Sequence, residues 1–478
     1  MSACEAVPRN CRQIRRCSKR PTSAKPSRPQ PDRSDPSLLA AGSRSDETGS
    51  PNPDVPKGRS MITTIKRRRS WVALAATAAV IPIVLAGCSS SDNAGSGDTS
   101  TTGTAALGTA NAASGAPISF GYISDGKSDA IDQSDELKGA KAAIGYANAY
   151  LGGVNGHVIE LRTCQALATP TQTTDCANQM VQAGVSAVMA GTLAQSDSAV
   201  TVLAAAKIPL LFQQAASAGA LSTPGVFSLT NPLSYFGTSA GYAKEKSLKK
   251  AVEVVIDVPG ATGPANSLGK KVFTNAGADF SVLAVPAGTA DMTPQIQSSL
   301  GGHPGLYNIL GNAAFCTSAL KAIKTLGVTA DVTVADVCLG SGGSSIAGGY
   351  KGLKVITTLQ LAASDPDFAA FAAAMRQYGD GAKVGPVAGV GYSVTLGAIR
   401  ALNAARITDT TPAGTLAALK SAPATPFPLQ GGATFKCDGS AMTAISPNIC
   451  SATGIIADSD KDGKLSNYEV VDGSGIYN

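Results

Sequence analysis

The sequence predicts an α/β protein built from two doubly wound parallel-sheet lobes, and three observations carry that prediction. From Ile118 onward, short β-branched runs that end in small or polar residues alternate with Ala-rich stretches of helical period, the pattern of βαβ units and of parallel sheets covered on both faces. The strand candidates are too many for one compact sheet. A charged stretch, Lys244 to Lys250, is followed by a fresh strong strand and marks a break between lobes.

The N-terminal part stands outside this pattern. Residues 1–60 are rich in Pro, Ser and Arg, show no apolar periodicity, and are expected to be a disordered leader that is not part of the fold, with Met61 as the start. Lys66 to Arg69 form a basic run, Trp71 to Val84 an apolar run, and Leu85-Ala86-Gly87-Cys88 a small-residue ending. That order is the grammar of a secretory signal. The apolar run is shorter than the roughly 18 residues a membrane-spanning helix needs. The ending resembles the lipobox of bacterial lipoproteins, which implies a signal peptide over 61–87 and lipidation of Cys88. Residues 88–117, nearly free of large apolar side chains, read as a flexible tether.

Removing the leader changes the electrostatics. It holds 16 of the 39 Lys and Arg and 6 of the 33 Asp and Glu, so the remaining 391 residues carry 23 basic and 27 acidic side chains, a formal charge of −4 rather than +6. No basic field is left to favour a nucleic-acid partner. A chain of this size can bury large cores in two or three domains.

The elements follow in order. Residues 118–124 read as a buried strand, and Leu137, Ala140, Ile144, Ala147 and Leu151 recur at spacings of three and four on one helical face. Further strands are expected at 158–161, 187–191, 208–212, 251–257, 280–285, 306–311, 332–336 and 355–359. Helical stretches are expected at 173–183, 196–206, 267–277 and 317–326.

In open parallel sheets the strand C-terminal ends and the helix N-termini converge, and free backbone N–H groups there favour an anionic group. The residues just after strands are therefore the candidates: Ser124 and Asp125; Thr192, Gln195 and Ser196; Gln213, Gln214, Ala216 and Ser217; and Asp257, Asn312 and Asp336 in the second lobe. The alternative role for each polar one is a helix cap or a solvated loop.

The order of Ile118 to Tyr122, Leu151 to Leu161, Ala187 to Gly191, Lys207 to Leu211 and Asp291 to Pro294 resembles a type I periplasmic solute-binding protein of the branched-chain amino-acid-binding branch. The resemblance spans 118 to the C-terminus. It implies two lobes joined by a three-segment hinge with a ligand cleft between them, lobe 1 being 118–249 with 361–427 and lobe 2 being 250–360 with 428–478. It also implies capture of a small polar ligand, an amino acid or a related molecule, by lobe closure. Delivery would be to an ABC permease by a monomer lipid-anchored on the extracytoplasmic face of the membrane. Gln195, Ser196, Ala216 and Ser217 fall where the family holds the ligand carboxylate and ammonium, and Asp336 lies near its acidic position. The aromatic side chains usual around the second-lobe cleft are not evident after Asp257 or Gly311. A ligand sensor signalling to a membrane partner is the second reading, and an anchored hydrolase the third.

Besides Cys88, six cysteines follow the leader. An even number in an exported chain argues for disulfides. Cys164 ends a strand and Cys176 lies in the next helix; Cys316 and Cys338 follow consecutive strands; Cys437 and Cys450 flank one loop. Those three pairs are the expected bridges. Metal binding by cysteine would need a CxxC pair, which is absent, and only His157 and His303 could add imidazole.

Enzyme signatures are weak. Two histidines disfavour His-based acid–base or triad chemistry. Gly263 to Lys271 has five rather than four residues between its glycines, and Lys271 where a phosphate loop needs Ser or Thr. Asp458, Asp460, Asp462, Gly463, Lys464, Ser466 and Glu469 do match the calcium-loop pattern position by position, so Ca²⁺ is the one cofactor the sequence suggests. The flanks, 454–457 and 468–472, read as strands instead of helices, and the competing reading is a β-hairpin turn.

Overall fold

The computed structural model describes residues 105–128 and 132–477. Cys88, the signal segment and the leader lie outside the described residues. A first sheet runs in the order β2-β1-β3-β4-β5, all parallel: β1 (Gly115–Ser124), β2 (His157–Gln165), β3 (Ala187–Ala190), β4 (Leu210–Phe212) and β5 (Val226–Ser228). The strand period of two divides its residues between two cores. Ile118, Phe120 and Tyr122 point into one, while Ile123, Val188, Leu210 and Phe212 point into the other. Helix α1 (Ser134–Tyr150) covers the first face, and α2 (Pro170–Gln182) and α3 (Ser196–Ala205) cover the second. A short α4 (Ala218–Ser222) follows β4.

The second sheet has the order β14-β13-β10-β9-β8-β6-β7. Its parallel strands are β6 (Lys250–Ile256), β7 (Asp279–Val285), β8 (Leu306–Leu310), β9 (Asp331–Ala335) and β10 (Lys354–Thr357). The chain returns at its end as an antiparallel hairpin, β13 (Thr453–Ser459) with β14 (Leu465–Asp472), added beside β10. A two-stranded ribbon, β11 (Thr425–Pro426) with β12 (Thr434–Phe435), lies between them in sequence.

Helix α5 (Ser234–Glu245) packs Phe236, Ala240, Tyr242 and Ala243 against Ala251, Val255 and Ile456 of the second sheet. The first crossover is therefore at 229–233, not at 249. Residues 428–450 differ from expectation as well: Phe435, Cys437 and Cys450 join the core of the first lobe and Ser228 pairs with Ile449, while Met442 and Ile449 pack with α5 and the second sheet. The third crossover falls at 451–453. Strand β5 was not expected; its three residues are too few to register as a periodic run.

The remaining lobe 2 helices are α6 (Pro259–Pro264), α7 (Lys270–Asn275), α8 (Thr293–Leu300) and α9 (Ala313–Thr325). A π-turn over Ala265–Gly269 joins α6 to α7 into one continuous helical run, so Gly263 to Lys271 is helix interior and not a phosphate loop. After β10 the chain returns to lobe 1 as α10 (Phe368–Tyr378), α11 (Pro386–Ala404) and α12 (Pro412–Ser421). Helices α1 and α11 touch backbone to backbone. A Cβ on Gly139 would lie 1.9 Å from Ala388 O, and one on Gly391 1.9 Å from Glu136 O, so both positions require glycine. The expected tether already belongs to the fold from residue 105: a 3₁₀ turn, Ala105–Leu107, buries Leu107 against α10, and Ala113 N donates to Asn148 O.

Three disulfides close, Cys164 to Cys176, Cys316 to Cys338 and Cys437 to Cys450, each between residues 12 to 22 apart in sequence.

Candidate functional site

The crossovers define the cleft. The first leaves the C-terminal end of β5 and the second the C-terminal end of β10, so the C-terminal edges of the two parallel sheets turn toward one another. The connections are pinned by buried polar groups. Asn231 Nδ2 donates to Ala452 O (3.0 Å) and to Tyr477 Oη (2.8 Å), and its Oδ1 accepts from Leu233 N (2.9 Å). Gln430 Nε2 donates to Thr358 O (3.0 Å), and Gln360 N to Leu429 O (2.7 Å).

On the lobe 1 side a buried carboxyl that the sequence reading missed holds the wall together. Glu136, in the first turn of α1, accepts hydrogen bonds from Tyr122 Oη (2.7 Å), Ser124 Oγ (3.2 Å) and Gly191 N (2.8 Å). Two strand ends and a helix start are thereby tied to one group. Burial pushes its carboxyl up to about 7, against the three hydrogen bonds that favour the charged form. Gly191 is required here, since a Cβ would come 2.4 Å from Glu136 Oε1. Only the run Ser134-Asp135-Glu136 at a helix start hinted at such a residue. Asp125 works alongside: its Oδ2 accepts from Ala194 N (2.8 Å), its Oδ1 has no partner among the described residues, and burial raises its carboxyl. Gln213 Nε2 is likewise buried without a partner.

The expected ligand residues divide into two groups. Ser124 is fully buried with its hydroxyl given to Glu136, behind the cleft wall instead of on it. Ser196 Oγ donates to Ser217 Oγ (3.0 Å), which caps α4 by accepting from Ala220 N (3.2 Å) and donates to Asp197. Asn312 caps α9 through Phe315 N (3.0 Å), and Gln214 Nε2 donates to Asn231 O (2.8 Å). These side chains serve as caps and braces. Among the described residues Thr192, Gln195 and Asp257 make no side-chain hydrogen bond, Ala216 is exposed, and Asp336 accepts one side-chain bond, from Thr357 Oγ1 (3.2 Å). The free groups at the strand ends are thus neutral polar or acidic.

The residues of the calcium-like stretch do not fit the ion. Strand pairing sets Glu469 opposite Ile456 on β14, while Asp458 pairs with Ser466. Asp460 Oδ1 accepts from Asp462 N and Lys464 N (both 2.9 Å), Asp458 Oδ1 is taken by Lys354 Nζ, and Asp462 is paired with Lys461. Among the described residues no three His, Cys, Asp or Glu side chains converge as a metal site requires. Six to eight oxygens around one ion, as Ca²⁺ demands, are not assembled by a hairpin turn.

Comparison with known proteins agrees with this architecture. The family model described as periplasmic binding protein matches residues 117–446, more than half of the chain. No curated protein sequence matches. Among solved structures, an ABC transporter substrate-binding protein from Sphaerobacter thermophilus is similar at 18% identity and TM-score 0.59, covering 75% of this chain and 100% of that one. A substrate-binding protein from Desulfitobacterium hafniense, in complex with Leu, is similar at 18% identity and TM-score 0.58, over 74% of this chain and 100% of that one. A solute-binding protein from R. palustris in complex with 4-hydroxybenzoate is similar at 19% identity and TM-score 0.56, over 74% and 97%. Among the described residues no helix is long and apolar enough to cross a membrane. The chain belongs to the periplasmic binding protein family, an extracytoplasmic class of two-lobed solute-binding proteins.

Proposed function

We propose that this protein captures a small polar ligand bearing an ammonium group, an amino acid or a close relative, between its lobes and delivers it to an ABC permease. It would do so while anchored to the extracytoplasmic face of the membrane by a lipid on Cys88. The observation that carries the reading is the set of strand-end residues. Thr192 and Gln195 in lobe 1 are uncommitted neutral groups, while Asp257 and Asp336 in lobe 2 supply negative charge. A cationic centre would pair with that acidic side, and a carboxylate would meet free N–H groups at the helix starts. Structural relatives named for Leu and for 4-hydroxybenzoate are consistent with a small ligand carrying a carboxylate. A ligand touching both lobes stabilises the closed state by its differential affinity.

One experiment with two arms tests this. Titration calorimetry with a panel of amino acids and aromatic acids should find a binder, and Asp336→Ala or Thr192→Ala should weaken it about tenfold with little change in thermal stability. Cys88→Ala should move the protein out of the membrane fraction. Wild-type affinity in both cleft variants would discard the site, and unchanged membrane retention of Cys88→Ala would discard the anchor.

A further inference from the structure

One cavity of the described residues lies away from the cleft. It encloses about 600 Å³ at the opposite edge of lobe 1, where the chain enters β4 and β5. That size falls within the range of about 300–1,000 Å³ typical of small-molecule sites. Its walls are apolar and stiff: Ile208 and Pro209 lead into β4, Pro224 leads into β5, and Leu416 projects from α12. Gly225, at φ +85°, leaves the space beside Leu416 open, since a Cβ there would meet only its methyl groups, at 3.9 Å.

Two cations stand at the rim, Lys207 and Lys420, both exposed. Among the described residues neither ammonium forms an ion pair or hydrogen bond. Of the nearest carboxylates, Asp409 Oδ1 accepts from Thr411 N (2.9 Å), and Asp438, which lines a neighbouring pocket with Lys420, pairs with Lys436 (2.8 Å). An apolar chamber with two unpaired ammonium groups at its mouth favours a molecule that is apolar at one end and anionic at the other. A neutral solute would leave both lysines unused, and a cation would be repelled.

We propose that this cavity is a second ligand site, separate from the cleft, that takes a small free monocarboxylate with a hydrocarbon body. The body packs against Ile208, Pro209 and Leu416, and the carboxylate lies toward Lys207 and Lys420. The cavity and the cleft are on opposite edges of one sheet, so the two sites are separable by mutation.

Calorimetry on the full chain with octanoate, octan-1-ol and octylamine tests the proposal. Octanoate should bind with a stoichiometry of one and octylamine should give no saturable heat. The double variant Lys207→Ala/Lys420→Ala, which alters only exposed side chains, should weaken octanoate about tenfold. Leu416→Asp should abolish binding, and Asp336→Ala in the cleft should leave it unchanged. The proposal is overturned by equal affinity for octanoate and octylamine, by wild-type affinity in the double lysine variant, by loss of octanoate binding in Asp336→Ala, or by no octanoate heat at all.

Discussion

Each lobe buries one glutamate completely, and the two are used for different ends. Glu136 sits at a helix start behind the cleft wall, where its oxygens gather donors from β1 and from the loop after β3. Glu253 lies in the middle of β6, on the face covered by α5. It accepts from Asn308 Nδ2 (2.7 Å) and Tyr235 Oη (3.3 Å). Asn308 Oδ1 in turn accepts from Ser239 (2.8 Å) and Thr333 (2.6 Å). Since Glu253, Asn308 and Thr333 are in register on β6, β8 and β9, this is a polar stripe across a sheet. Burial raises both carboxyls, Glu136 to about 7 and Glu253 to about 8. The residue with fewer donors and no helix end beside it is the one kept more firmly protonated. One group ties two strand ends to a helix start; the other links three strands and holds α5 to the sheet.

That comparison is open to attack at three points. The largest effect is expected from Asn308→Ala, which strips a partner from Glu253, Ser239 and Thr333 at once inside the core. Denaturant unfolding should show a loss on the order of 3 kcal/mol, and a loss under about 1 kcal/mol would mean the stripe is not a structural brace.

The second concerns pH. Both acids have a folded-state value above the ordinary 4.5, so the folded state binds protons that the unfolded state has released. Their stability contribution is fully present below pH 4.5 and is lost as pH rises through about 7 and then about 8. Melting temperature should therefore fall across that window. Glu253→Gln should roughly halve the fall up to about pH 7 and remove what remains of it up to about 8. If the variant keeps the wild-type slope, Glu253 is already charged in the folded protein.

The smallest effect on stability, about 1 kcal/mol or less, is expected from Glu136→Gln, whose amide still accepts from Tyr122 and Gly191. The readout in binding needs the truncation. Once a cleft ligand is identified, Glu136→Ala, which releases Gly191 N and with it the loop after β3, should weaken ligand binding, while Glu253→Gln should leave it unchanged. The reverse pattern would exchange the roles given to the two lobes.

Local sequence sufficed for features that depend on near neighbours along the chain. Alternation of β-branched and Ala-rich runs specified strands and helices and hence an α/β fold, because periodicity decides which side chains share a face. The three bridges were legible because each joins residues close in sequence. What the sequence could not settle depended on distant partners. Asp458 to Glu469 carries the oxygen spacing of a calcium loop, yet the pairing of β13 with β14 and the burial of Ile455 and Ile456 stretch that spacing along a hairpin. Ser217 and Asn312 cap the helices that follow them, and which of two possible roles their oxygens take in the free protein is set by those helices. The crossovers moved because only three-dimensional packing chooses the core that α5 and residues 428–450 join. Glu136 and Glu253 are charged letters in otherwise apolar surroundings, and their meaning came from Gly191 and Asn308, each 55 residues further along the chain. Sequence fixes which faces are apolar; which distant polar group meets which is set by register and packing, and those are properties of the folded whole.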